Sequence, residues 1–110
     1  VQTIIVIGGM GFVGSHFVEL LVRKRSNSRI VVVDKQDCGN LDLVRNEIVF
    51  ENCDVDDDRF YEKCKQLFEK YKSEIVVSFV VSNKIKQYCN NVQRYFQVLS
   101  YFDDIVPADI

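Results

Sequence analysis

One stretch limits what this chain can fold into more than any other. Thr3 to Gly14 reads Thr-Ile-Ile-Val-Ile-Gly-Gly-Met-Gly-Phe-Val-Gly. Ile4, Ile5, Val6 and Ile7 form an uninterrupted β-branched run, the pattern of a strand buried on both faces. Glycines follow at a spacing of three, Gly8, Gly11 and Gly14, and from Gly9 the stretch also satisfies G-x-G-x-x-G. From Phe12 onward Val13, Phe17, Leu20, Leu21 and Lys24 recur at helical spacing. Strand, glycine turn and helix therefore follow one another without a gap.

That order is the context in which glycines serve a dinucleotide. Gly8 would allow the tight turn out of the strand, Gly11 would let the backbone approach a pyrophosphate, and Gly14 would let the helix pack close on the strand. Free N–H groups at the helix start, at the positive end of its dipole, would hold the phosphates. The bland alternative is a strand-helix turn that needs glycine only for packing. A second marker favours the dinucleotide: Val31, Val32 and Val33 form another buried run, ending in Asp34. An acidic residue about twenty positions beyond the glycines can accept hydrogen bonds from the ribose hydroxyls.

The remaining chain alternates in the same way. Ser26-Asn27-Ser28 breaks the first helix, and Arg29 to Val33 forms the second strand. A polar loop with Gly39 leads to a short helical turn at Leu41, Leu43 and Val44, then to a third strand at Glu47 to Phe50. Asp56 or Asp57 can cap the next helix, which runs to about Lys72 with Phe60, Cys64, Leu67, Phe68 and Tyr71 on one face. Glu74 to Val81 is a fourth strand. A last helix is expected from Lys84 to about Phe102, because apolar residues from Ile85 to Phe102 recur every three or four positions. The expected fold is α/β, a Rossmann-like three-layer arrangement with four parallel strands in the order 3-2-1-4 and helices on both faces.

Composition narrows the partners. At 110 residues the chain is one domain, and a net charge of −2 gives no reason to expect nucleic acid or a membrane surface. No apolar run is long enough to span a bilayer. The chain starts at Val1 and enters a strand almost at once, so no signal peptide is expected, and the sequence reads as processed, cut or partial. Cys38, Cys53, Cys64 and Cys89 lack metal-binding spacing; they could form two disulfides, but reduced cysteines in a cytoplasmic protein fit this architecture better. Asp56, Asp57 and Asp58 read as dipole-compensating acids at a helix start, and no metal site is expected.

From these residues the chain resembles the N-terminal half of the extended short-chain dehydrogenase/reductases, and within them the NAD-dependent epimerase/dehydratase family. The resemblance rests on Gly8 to His16, on Asp34 followed by Gly39-Asn40-Leu41, and on Cys53-Asp54-Val55-Asp56-Asp57, and it covers residues 3 to about 81. It implies that Phe12 and Val13 offer backbone N–H groups to the pyrophosphate, that Asp34 holds the adenosine ribose, and that Asp54 and Val55 flank the adenine. It implies NAD in preference to NADP, since a carboxylate at position 34 repels a 2′-phosphate.

Two departures from the family pattern stand out. Ser78-Phe79-Val80-Val81 replaces a segment of small residues, so Val80 and Val81 would crowd the floor of the crevice on the nicotinamide side. The catalytic Tyr-x-x-x-Lys belongs on a helix after a fifth strand, before which this chain is expected to end. Tyr61 and Lys65 have that spacing but lie in the crossover helix between strands three and four, so no catalytic residue is assigned. His16 reads as a polar packing residue.

The expectation is thus residues 1–110 as a truncated NAD(P)-binding domain, the cofactor half of a nucleotide-sugar epimerase or dehydratase-like oxidoreductase. Alone it would be inactive, with a nucleotide-sugar substrate only in a complete protein. The fourth strand, lacking a neighbour, would promote homodimerisation. The alternative is a non-catalytic module that senses a dinucleotide or uses the fold for protein contacts.

Overall fold

The computed structural model describes residues 2–24, 27–37, 39–54, 56–72, 75–80 and 94–97. Within them β1 (Thr3–Ile7), α1 (Phe12–Lys24), β2 (Arg29–Asp34), a 3₁₀ helix (Asp42–Glu47), β3 (Val49–Asn52), α2 (Phe60–Tyr71), β4 (Ile75–Ser78) and β5 (Arg94–Gln97) follow in order. The strands form one sheet in the order β3-β2-β1-β4-β5, and every neighbouring pair is parallel.

Strand alternation divides the core into two. Successive side chains point to opposite faces. Ile4 and Val6 of β1, Ile30 and Val32 of β2, and Ile75 and Val77 of β4 therefore meet Phe17, Val18 and Leu21 of α1. Ile5, Ile7, Val31, Val33 and Val76 meet Phe60, Cys64 and Leu67 of α2 on the other face. A sheet covered on both sides needs apolar residues at every strand position, which is why β1 reads as a continuous run. The expected layers and the order 3-2-1-4 are present.

The end of the chain corrects the sequence reading. Arg94–Gln97 is a strand parallel to β4, with Ile75 opposite Arg94 and Ser78 opposite Gln97. A helix through these positions is therefore excluded, and β4 is not an edge. Val77, in the middle of β4, is 1% exposed and belongs to the α1-side core. The physical reason is that Tyr95 and Phe96 are good strand formers. Their helical spacing with other apolar residues carried less weight than the backbone ladder that β4 offers. The rest of the expected final helix, with Cys89, lies outside the described residues, as do Cys38, Val55 and Val81.

α2 begins a turn after its expected cap. The Asp57 carboxylate accepts the Arg59 N–H at 2.8 Å, and the Asp57 carbonyl accepts the Phe60 N–H at 2.9 Å. Asp57 thus shapes the entry turn, while Asp56 donates its N–H to the Asp54 carboxylate at 2.9 Å. Those bonds from Arg59, first the backbone one, with the nearby Lys63 ammonium, hold the Asp57 carboxyl below its ordinary pKa. Among the described residues no helix is long and apolar enough to cross a membrane.

Candidate functional site

The loop between β1 and α1 is closed by its own backbone. Gly8 has φ +82° and sends its N–H to the Val33 carbonyl at 2.8 Å, so the chain leaves β1 in a conformation that side chains rarely adopt. Gly11 donates to the Gly8 carbonyl at 3.3 Å, and Ser15 to the Gly11 carbonyl at 2.9 Å, closing the first turn of α1. A β-carbon on Gly14 would overlap the Gly8 carbonyl oxygen, so the helix can reach the loop only with glycine there. One on Gly9 would come within 2.7 Å of Val32, a packing demand that the fingerprint reading left unassigned. One on Gly11 would meet only the Gly8 oxygen at 3.6 Å and otherwise open space. The three fingerprint glycines therefore divide into a turn, an open approach and a close contact.

Phe12 and Val13 supply first-turn amides of α1, which have no carbonyl partner within a helix. No acidic side chain stands in that turn, while Arg23 and Lys24 occupy the last one, so the first turn does not compensate the positive end of the helix dipole with a carboxylate of its own. The Phe12 ring is 74% exposed and meets the His16 imidazole edge-on at 4.9 Å between centroids. His16 is itself exposed, so it is not a packing residue of the core.

Asp34 ends β2 on the face that carries Met10. Its Oδ2 accepts the Met10 N–H at 2.9 Å and its Oδ1 accepts the Lys35 N–H at 2.7 Å. Each carboxylate oxygen keeps a further acceptor position. The Asp34 carbonyl takes the Cys53 N–H at 2.9 Å, which ties the ends of β2 and β3 together and brings Asp54 alongside.

These ends border a cleft of about 210 Å³, lined by Gly8, Asp34, Lys35, Cys53, Asp54 and Val80 among others. It gathers three expected site residues, Gly8, Asp34 and Asp54. Gly11, Phe12, Val13 and Gly14 form the adjoining loop and helix start. Val80 packs against Gly8 and lines the same cleft as Asp34 and Asp54. Cys53 was not singled out for the site: a cysteine at a strand end carries no signal of its own. It is free, 3% exposed and shares the α2-side core with Cys64. The Cys64 thiol hydrogen-bonds to it, and this, with Lys63 nearby, lowers the Cys53 pKa against the opposing effects of burial, Asp57 and Asp54.

The expected decoy pair is outside this arrangement. Tyr61 is 48% exposed on α2, and Lys65 is exposed one turn on.

Comparison with known proteins agrees with this geometry. Residues 4–92 match the family described as the saccharopine dehydrogenase NADP binding domain. A dTDP-D-glucose 4,6-dehydratase of Dictyostelium discoideum is 36% identical over 102 residues, covering 79% of this chain and 22% of the relative. The structure of dTDP-glucose 4,6-dehydratase from Bacillus anthracis in complex with NAD superposes with a TM-score of 0.66 at 21% identity, over 84% of this chain and 31% of that one. UDP-glucose 4-epimerase from Brucella ovis in complex with NAD gives a TM-score of 0.59 at 25% identity, over 84% of this chain and 29% of that one. The chain thus spans less than a third of these relatives. It belongs to the saccharopine dehydrogenase NADP binding domain family, as an NAD(P)-binding Rossmann domain related to the nucleotide-sugar epimerases and dehydratases.

Proposed function

We propose that this chain is the NAD-binding part of a nucleotide-sugar epimerase or dehydratase-like oxidoreductase. The observation that carries the reading is the Asp34 carboxylate, which lines one cleft with Gly8 and Asp54 and is tied through the Met10 N–H to the loop that carries the open Gly11 and leads into α1. The amides of Phe12 and Val13 would hold the pyrophosphate, with Gly11 leaving its approach open and Gly8 and Gly14 giving the loop its shape. Asp34 would accept the adenosine ribose hydroxyls on its remaining lone pairs, and Asp54 with Val55 would flank the adenine. When bound, NAD supplies a hydride acceptor that takes hydrogen from a sugar carbon and later returns it.

The family description names NADP, whereas the two solved structures compared above are complexes with NAD. The Asp34 carboxylate decides for NAD in this reading, because a 2′-phosphate placed beside it would be repelled. Lys35 lines the same cleft and softens that preference without reversing it.

In the proposal, these residues bind and orient the cofactor, and sugar chemistry is done by a Tyr-x-x-x-Lys elsewhere. Within this sequence, Tyr101 after β5 is followed four positions later by Ile105, not lysine. A dinucleotide-sensing module without catalysis is the second reading, favoured by Val80, which fills space over Gly8. Calorimetric titration with NAD and NADP tests the binding step, and NAD is expected to bind more tightly. Absence of dinucleotide binding, or preference for NADP, overturns the assignment. In a longer protein carrying that Tyr-x-x-x-Lys, hydride transfer from UDP-glucose or dTDP-glucose to bound NAD would separate the two readings.

A further inference from the structure

The peptide groups of Met10 are held from both sides. Its N–H donates to Asp34 Oδ2 at 2.9 Å, and its carbonyl accepts Asn40 Nδ2 at 2.7 Å, a contact thirty residues apart in the chain. Met10 is the only residue between Gly8 and Phe12 with a side chain other than hydrogen, apart from which that segment is all glycine. Its side chain is fully buried, packed in the same core cluster as Leu41, the neighbour of Asn40. The loop therefore has one anchoring residue, fixed by its side chain and at both polar groups of its backbone.

The segment that brings Asn40 there is itself held in shape. Gly39 adopts φ +77°, its N–H donates to Asp37 Oδ1 at 3.1 Å, and its carbonyl accepts the Asp42 N–H at 3.3 Å. Arg45 pairs with Asp37 at 3.4 Å, linking the turn to the 3₁₀ helix that follows. Asn40 thus projects from a braced turn onto the crown of the glycine loop. Its amide donates to the peptide unit whose other end, the Gly11 N–H, closes the loop onto the Gly8 carbonyl at 3.3 Å, immediately before the Phe12 and Val13 amides proposed to face phosphate. A bond to the carbonyl side polarises that unit and makes its N–H a better donor to the Gly8 carbonyl, which tightens the turn leading into α1.

We infer that Asn40 is a positioning residue of the dinucleotide site, holding the Met10–Gly11 peptide so that the loop's N–H groups are aimed before the pyrophosphate arrives. The inference rests on the NAD-binding reading. Asn40 does not itself recognise the cofactor; it lowers the cost of ordering the loop.

The test compares wild type with Asn40→Ala and the near-isosteric Asn40→Asp, in which a carboxylate faces the Met10 carbonyl and cannot donate. Affinities are measured for NAD, for ADP-ribose and for adenosine, which lacks phosphate. Amide hydrogen exchange is followed without ligand. Loss of one such bond should weaken NAD and ADP-ribose about tenfold in either variant. Adenosine, held by other residues, should keep its affinity. Exchange at residues 8–14 should accelerate in the ligand-free variants while the β2 amides keep their protection, a pattern that general destabilisation would not produce. Unchanged NAD affinity in both variants overturns the inference. So does equal weakening of adenosine, or weakening without faster loop exchange, which would mean that Asn40 touches the ligand. If wild type binds no dinucleotide, the NAD reading fails by itself, and the exchange comparison still decides whether Asn40 orders the loop.

Discussion

Gly14 stands so close to Gly8 that a β-carbon on the helix residue would overlap the carbonyl oxygen of the loop residue. Gly11, between them, faces open space. Substitutions at these two glycines should therefore have opposite signatures. Gly14→Ala drives a methyl group into backbone, which cannot swing aside as a side chain can. It should cost at least about 2 kcal/mol of stability. Gly11→Val should leave the thermal midpoint nearly unchanged and abolish NAD binding, because its side chain would occupy the approach to the loop. Thermal unfolding and calorimetry on both variants check this, and intact NAD affinity in Gly11→Val would remove the loop from the site.

Asp34 has two tasks in the structure, and its variants should show both. Asp34→Ala removes the acceptor for the Met10 N–H as well as the charge. NAD affinity should fall by about tenfold or more, since hydrogen bonds to a charged group are among the stronger ones. NADP gains from the lost repulsion but suffers from the loosened loop, so the gap between the cofactors narrows without NADP becoming a tight ligand. Parallel titrations with the two cofactors give the ratio. A wild-type protein that already prefers NADP would contradict the role of Asp34.

Acidification should act on the entry to α2. The Asp57 carboxyl titrates below its ordinary value because the Arg59 backbone N–H bonds to it, with Arg59 and Lys63 adding to the effect. A carboxyl depressed in the folded state contributes stability above its unfolded pKa and loses it as pH falls through the folded one. Asp57→Ala should thus be less stable than wild type at neutral pH, and the difference should shrink below about pH 4. Melting curves over a pH series measure it. A difference that persists in strong acid would mean that the charge is not what matters.

Cys53 offers a chemical probe of the cleft. With Cys38 and Cys89 changed to serine, its alkylation by iodoacetamide should set in at lower pH than for an ordinary thiol, because the Cys64 thiol donates to it. Cys64→Ala should move that onset upward, and NAD should slow the reaction by covering the cleft. Mass spectrometry of the labelled peptide reads all three. No protection by NAD would place the adenosine end elsewhere.

Much of this arrangement was legible because it is written in local patterns. The β-branched runs at β1 and β2, the glycine spacing and the acid at Asp34 each need only a few neighbouring residues to be recognised. The strand at Arg94–Gln97 was hidden because aromatic residues at three- and four-residue intervals fit an amphipathic helix as well. What decides the matter is a backbone partner, β4, and a partner is not a property of the segment itself. Asn40 was legible as part of a family-like turn, but not its contact: a side chain that reaches back to Met10 leaves no local periodicity. Cys53, just after β3, reaches the cleft through its N–H bond to the Asp34 carbonyl, which no spacing of cysteines records.

The division of β2 between two cores has a consequence for evolution. Ile30 and Val32 face α1, Val31 and Val33 face α2, and Asp34 is the next residue in that alternation. Deleting or inserting one residue in the strand would turn four buried side chains to the wrong layer and rotate the carboxylate away from Met10 in the same step. Cofactor choice can therefore drift by substitution at position 34, but not by changes of strand length. The acid is kept at its post by the buried hydrophobic residues that precede it in the strand.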